Sequence, residues 1–121
     1  MNNNFFEVLR PGINTTFQDK GRFGMQHLGV APSGCMDHKS FLIANALVSN
    51  DEKEGVIEFA YQGPLLKLSK GKTKFAITGN VLFQIINSKN ETINGKCNRS
   101  YDLDKGDQID ILATRQSAYG Y

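Results

Sequence analysis

Cysteine and long apolar runs are both scarce in this chain of 121 residues. The two cysteines, Cys35 and Cys97, lie far apart and match no metal-binding spacing, so reduced thiols are expected. No apolar run approaches the length that spans a membrane. The N-terminal residues have neither the basic nor the apolar region of a secretory signal. The sequence therefore predicts a cytoplasmic protein without a metal site.

Charge of one sign is also nearly absent, because the formal net charge is only +2. Such a small excess does not favour nucleic acid, and RNA-binding aromatic motifs are missing. The lysines are scattered except for four, which we interpret as a solvated hairpin face: Lys67, Lys70, Lys72 and Lys74. With 40% apolar and 21% charged residues the chain is expected to fold as one domain, 1–121.

Three catalytic signatures are missing. The sequence has no G-x-x-x-x-G-K-[ST] loop, no G-x-S-x-G elbow and no H-E-x-x-H pair. Because a phosphate-cradling loop is absent, the chain is not expected to hydrolyse ATP alone. We predict no cofactor bound by this chain.

Short strands separated by turn residues dominate the pattern. Such regular spacing predicts a barrel or a sandwich, hence a mainly β fold. The residues from Arg115 to Tyr121 resemble the start of a further strand, so we expect the chain to be part of a longer protein. The predicted strands are Phe5–Leu9, Ile13–Phe17, Val56–Ala60, Leu65–Leu68, Lys74–Thr78, Val81–Ile86, Ser100–Leu103 and Gln108–Ala113.

One helix is predicted over Ser40–Val48, after an N-cap at Asp37. Apolar residues fall on nearly every face of this helix, which indicates burial on several sides. Asn45 is the polar exception. A buried asparagine needs hydrogen bonds, made either to backbone or within a site.

The stretch from Arg10 to Asp37 has a different composition, with five glycines and two prolines. Glycine and proline impose backbone angles that position polar groups, which is more typical of ligand binding than of packing. The alternative is that these polar groups only hold the loop together. They are Gln18, Asp19, Arg22, Gln26, His27, Ser33 and Asp37.

These side chains suit a small polar or anionic ligand. Asp19 is interpreted as a loop cap, a partner of Arg22 or a general base. Gln18 and Gln26 offer both donor and acceptor to a carboxamide or urea-like group. The backbone after Ser33 approaches the helix start, where free N–H groups bind anions.

Three further residues of this stretch have open roles. Arg10, like Arg22, offers a planar fork for a carboxylate or backbone carbonyls, in a site or in the fold itself. His27 is a general-base candidate or a loop hydrogen-bonder. Cys35 is a nucleophile candidate with His27 as its base, or an ordinary thiol.

The segment resembles the opening of the biotin-dependent carboxyltransferase-like family. That family includes the C subunit of 5-oxoprolinase, the protein formerly called the second subunit of allophanate hydrolase, and the antagonist of a sporulation-kinase inhibitor. The resemblance covers essentially the whole chain. The matching residues are Arg10-Pro11-Gly12, Thr15-Thr16, Gln18-Asp19, Gly21-Arg22, Gly24, Gly29-Val30, Ser33-Gly34, Met36-Asp37, Asn45 to Asn50, Glu58, Gly63-Pro64 and Thr78-Gly79.

The resemblance implies a cyclophilin-like β-barrel, here a half or part of it with one buried helix. It also implies an ATP-dependent 5-oxoprolinase that works with companion subunits, one of which uses ATP to open the lactam ring of 5-oxoproline to glutamate. In this hypothesis Asp19 and Arg22 are catalytic. Substrate-binding roles fall to Gln18, Gln26, Ser33 and Asp37.

Two other functions stay open. One is a regulatory module that antagonises a kinase-inhibitor partner. The other is the carboxyltransferase domain of a urea carboxylase-like enzyme, which moves a carboxyl group from carboxybiotin to urea. Family members are more than twice as long, so the 121 residues are expected to be an N-terminal portion that is inactive alone and prone to self-association.

Overall fold

The computed structural model describes residues 5–12, 15–18, 38–50, 56–115 and 119–121. Within these ranges the chain forms one helix and nine strands, which confirms a mainly β fold. In chain order they are β1 Phe5–Arg10, β2 Thr16–Gln18, α1 His38–Leu47, β3 Val56–Glu58, β4 Leu65–Lys70, β5 Thr73–Ala76, β6 Val81–Ile86, β7 Thr92–Asn94, β8 Ser100–Leu103 and β9 Gln108–Thr114.

The strands form one large sheet and two small ones. The large sheet is antiparallel with the order β1-β4-β9-β6-β7, and β2-β3 and β5-β8 are two-stranded. The pairing of β6 with β9 shifts register between Leu82 and Phe83, because Leu112 of β9 is an extra residue with no partner in β6, as in a β-bulge. Among the described strands no sheet closes on itself, which is the arrangement expected for part of a barrel.

The core lies on one face of the large sheet, where alternate residues point inward. In β6 the buried side chains are Val81, Phe83 and Ile85. The neighbouring strand β9 contributes Ile109 and Ile111. Period-two alternation in the sequence therefore produces the buried surface directly. An edge-to-face ring contact between Phe75 and Phe83 extends this core to the β5-β8 pair.

Helix α1 packs against the sheets. Phe41, Ala44 and Asn45 are buried, whereas Leu42 and Ala46 are exposed. Ser40, Ile43 and Leu47 are half-buried, so burial extends over several sides of the helix, as predicted, and an exposed stripe that includes Leu42 and Ala46 remains. Within the described residues no helix combines the length and apolarity needed to cross a membrane.

The element boundaries differ from the predicted ones in a few places. Strand β2 ends one residue beyond the predicted Phe17, and Ile13 lies outside the described residues. β3 stops at Glu58, after which Phe59 forms an isolated bridge with Gly120. The start of a further strand was expected over Arg115 to Tyr121; the described residues of this segment form this isolated bridge and no strand. β7 was not predicted.

Candidate functional site

Residues 19–37, the greater part of the glycine-rich stretch, connect the end of β2 to the start of α1. β2 is held by β3 in an antiparallel register that pairs Gln18 with Val56. The side chain of Gln18 lies outside the described residues, as do the other proposed site residues: Asp19, Arg22, Gln26, Ser33 and Asp37, together with His27 and Cys35. Their roles stay predictions, as does the N-cap at Asp37.

The same two elements form walls of a cleft of about 450 Å³ between α1 and the sheets. β2 contributes Phe17, and α1 contributes Ala44 and Asn45. Most of the other lining side chains are apolar, such as Val8 and Leu66. A concave, largely apolar cleft of this size is typical of small-molecule sites. The stretch that carries the proposed polar residues thus begins and ends at elements of the cleft wall.

Asn45 is fully buried at the cleft, with 1% of its surface exposed. Its Oδ1 accepts a hydrogen bond from Asn50 Nδ2 at 3.3 Å, and its backbone carbonyl accepts one from Asn50 N at 2.8 Å. Asn45 therefore fixes the chain that leaves the helix. The sequence prediction that this asparagine is hydrogen-bonded is confirmed.

Glu58 is a buried carboxylate that was not among the functional candidates predicted from the sequence. It is 5% exposed, and the hydroxyl of Tyr121 donates to its Oε2 at 2.5 Å. Buried carboxylates are rare unless paired or hydrogen-bonded. A glutamate within the apolar stretch Val56–Ala60 was the available signal in the sequence.

Tyr121 also joins Glu58 to the helix. Its backbone exchanges two hydrogen bonds with Thr78, at 2.7 and 3.1 Å, and Thr78 Oγ1 donates to the carbonyl of Ser40 in the first turn of α1 at 2.9 Å. We call Glu58, Thr78 and Tyr121 the Tyr121 cluster. Its three members are each at most 5% exposed.

Arg10 recognises a carboxylate and backbone carbonyls, but all of them belong to its own fold. Its Nη2 donates to Asp110 Oδ1 at 2.8 Å, to Gly63 O at 3.1 Å and to Ile111 O at 3.0 Å. Of the two roles considered for Arg10, the structural one is therefore correct. The guanidinium ties β1 to β9.

The lysine-rich hairpin is largely solvated, as predicted. Lys70, Lys72 and Lys74 are exposed, and Lys72 lies 3.6 Å from the carboxylate of Asp104. Lys74 also reaches the cleft. In the part of the chain that the structure describes, no group of three His, Cys, Asp or Glu residues is placed to hold a metal ion.

Comparison with known proteins gives relatives for nearly the whole chain. The family model for the carboxyltransferase domain, subdomain A and B, matches residues 28–121. Urea amidolyase of Lachancea kluyveri is 38% identical over 107 residues, which is 88% of this chain and 6% of that protein. The 5-oxoprolinase C subunit of Escherichia coli (strain K12) is 36% identical over 73 residues, 60% of this chain and 23% of that protein.

A solved structure agrees with these sequence matches. The crystal structure of K. lactis urea amidolyase superimposes with a TM-score of 0.83 at 34% identity, covering 96% of this chain and 7% of that one. This chain thus spans only a small part of the length of these relatives. The family match, the sequence identities and the shared fold together show that the chain belongs to the carboxyltransferase domain family, subdomains A and B.

Proposed function

We propose that this chain contributes to an ATP-dependent 5-oxoprolinase, which opens the lactam ring of 5-oxoproline to give glutamate. The observation that carries the proposal is the similarity to the C subunit of 5-oxoprolinase, 36% identical in Escherichia coli and 25% identical over 95% of this chain in Haemophilus influenzae. In this proposal companion subunits complete the enzyme, and one of them uses ATP. This chain itself binds no cofactor.

The polar stretch supplies the chemistry that a lactam requires. Gln18 and Gln26 have the donor and acceptor groups that match both ends of an N–C=O unit. Asp19 is assigned to proton transfer and Arg22 to stabilising negative charge that develops on the lactam oxygen. Ser33 and Asp37 complete the substrate-binding set before α1 begins.

A urea carboxylase-like carboxyltransferase is the second candidate. It is favoured by the match to Lachancea kluyveri urea amidolyase, which is 38% identical over 88% of this chain, against 36% over 60% for the Escherichia coli C subunit. The superposition on K. lactis urea amidolyase also supports it. Urea also carries a planar N–C=O unit, so the same side chains serve it. The carboxyl donor would be carboxybiotin on a carrier outside these 121 residues, which contain no A-M-K-M attachment sequence.

The two candidates are separated by a reaction assay on the full-length protein with its companion subunits. For a 5-oxoprolinase, we expect the complex to release glutamate from 5-oxoproline in the presence of ATP. Avidin should not inhibit this release. ATP consumption that requires urea and bicarbonate and is blocked by avidin would identify the second candidate. Neither activity in the assembled complex would reject both.

The site assignment is tested separately with Asp19→Ala and Arg22→Ala. Each is expected to lower kcat at least 100-fold, since removing a general base or a charge-stabilising donor costs this order of magnitude. Arg99→Ala is the matched control, because Arg99 is exposed and its guanidinium lies over the Tyr101 ring, 5.3 Å from the ring centroid. Unchanged turnover in folded Asp19→Ala and Arg22→Ala proteins would remove the assignment.

A further inference from the structure

We propose that Glu58 and Thr78 are positioning residues, which act through Tyr121 to fix the position of β2 relative to helix α1. These two elements carry the two ends of the stretch that contains the proposed catalytic residues. The inference rests on the proposed function for its effect on turnover. Its geometric part stands on contacts among described residues alone.

The contacts form one continuous path between the two elements. β2 pairs with β3 so that Thr16 faces Glu58. Glu58 accepts the hydrogen bond of the Tyr121 hydroxyl at 2.5 Å, and the Tyr121 backbone is hydrogen-bonded in both directions to Thr78. The Thr78 hydroxyl then donates to Ser40 O of α1 at 2.9 Å. Through this path β2 is connected to the helix, and the connection requires no direct hydrogen bond between the two elements.

The backbone of this path has little freedom. Gly120 precedes Tyr121, and its N–H and C=O are bonded to Phe59 at 2.8 and 3.0 Å. A Cβ atom on Gly120 would lie 2.5 Å from the Phe59 ring, so the two segments are in direct backbone-to-ring contact. Tyr121 is therefore fixed between β3 on one side and Thr78 on the other.

The chemistry of the cluster also favours positioning over simple stability. Burying a carboxylate costs free energy, and replacing a buried polar pair as a whole by apolar groups of similar size is often neutral or stabilising. A directed hydrogen bond fixes distance and orientation, which an apolar contact does not. Catalysis depends on such placement, and displacing a group by about 1 Å costs on the order of 100-fold in rate.

The activity test uses Thr78→Val and Tyr121→Phe in the full-length protein assembled with its companion subunits. Each variant keeps the shape of the side chain and removes one hydroxyl. We expect kcat per folded enzyme to fall on the order of 10- to 100-fold, with a smaller change in KM. Glu58→Gln, whose amide oxygen still accepts from Tyr121, should retain most of the activity, whereas Glu58→Leu should not. Thr92→Val and Tyr61→Phe, at exposed positions, are the controls.

The geometric test measures the distance between β2 and α1 directly. Spin labels at Thr16→Cys and Lys39→Cys, two exposed positions, are introduced in a background without other reactive cysteines. One narrow distance distribution is expected for the parent and the controls, and a broader or shifted one for Thr78→Val and Tyr121→Phe. This readout does not depend on which reaction the enzyme performs.

The two tests separate the possible failures. An inactive parent complex would reject the proposed function, and the distance measurement would then still decide the geometric part. With an active parent, an unchanged distance distribution, or kcat per folded enzyme within twofold of the parent in both hydroxyl variants, would overturn the positioning role. The positioning role would also be overturned if the loss of activity in each variant were fully explained by the fraction of protein that is unfolded.

Discussion

At the scale of single residues, the side chain of Arg10 shows how an arginine can be mistaken for a site residue. It stands in the resemblance motif beside Pro11 and Gly12, yet its guanidinium contacts Asp110 and two backbone carbonyls of the fold. The partners lie 53 to 101 residues away in the sequence. Only the folded chain identifies them, so residue type alone left both roles open.

Arg10→Met should lower the free energy of unfolding by about 2 kcal/mol, because it leaves the largely buried Asp110 carboxylate and two carbonyls without their charged donor. Urea titration followed by circular dichroism measures this loss. Asp110→Asn should lower the free energy of unfolding less when Arg10 is already replaced by Met than it does in the parent protein. Arg99→Met, at an exposed position, is the control, and an equal loss in this control would contradict the assignment.

The Cys97 thiol gives a prediction about pH. Burial raises the pKa of Cys97 above its ordinary value, because the thiolate loses solvation. The neutral thiol is thus favoured in the folded state, and its contribution to stability is complete below the unfolded thiol pKa. It is lost as pH rises through the folded pKa.

Unfolding midpoints in urea, measured from pH 7 to pH 10.5, should therefore fall more steeply above about pH 8.5 in the parent than in Cys97→Ala. Both chains carry Cys35→Ser, so that a single thiol differs between them. Parallel pH profiles for the two chains would show that Cys97 does not have a raised pKa.

At the scale of elements, the alternation of apolar residues predicted the strands that bury one face. Val81–Ile86 and Ser100–Leu103 form at the predicted residues, because their inward positions carry the pattern. β7 was missed because a single apolar residue, Ile93, in a strand of three residues is too short a pattern to indicate a strand, and none of the three is buried. The contacts that hold β7 come from pairing with β6.

The candidate site likewise has a part that the sequence pattern indicates and a part that depends on tertiary contacts. Composition and motif identified the polar stretch, and its proposed roles from Asp19 to Asp37 stay predictions. The Tyr121 cluster could not be predicted, since Glu58 and its partner are 63 residues apart. A buried carboxylate becomes recognisable only when tertiary structure shows its burial and its donor.

The β6–β7 turn should depend on Asn87. Its Oδ1 accepts hydrogen bonds from the N–H groups of Lys89 and Glu91, both at 2.9 Å, which orders the turn around Asn90 with its φ of 63°. Asn87→Ala should cost about 1 kcal/mol. Faster amide hydrogen exchange in β7, with β4 and β9 unchanged, is the expected signature. Ser88→Ala is the neighbouring control, and equal exchange in both variants would refute the role of Asn87.

At the scale of the whole molecule, the large sheet has two different edges. β1 occupies one edge and exposes apolar side chains on both faces, including Phe5 at 56% and Val8 at 58%. β7 occupies the other edge with Ile93 exposed between two polar residues. Exposed apolar edge strands promote pairing between chains, and charged residues suppress it. β1 is thus the edge at which a second copy would add.

The 121-residue chain should therefore self-associate through β1. Light scattering at increasing concentration should give a mass above that of the 13.4 kDa monomer. Phe5→Lys should shift the chain toward monomer, because an ammonium on the edge cannot be buried between two copies without a large desolvation cost. Ile93→Lys is the matched control, with nearly the same exposure at the opposite edge. A monomeric parent would reject self-association, and rescue by Ile93→Lys alone would place the interface at β7.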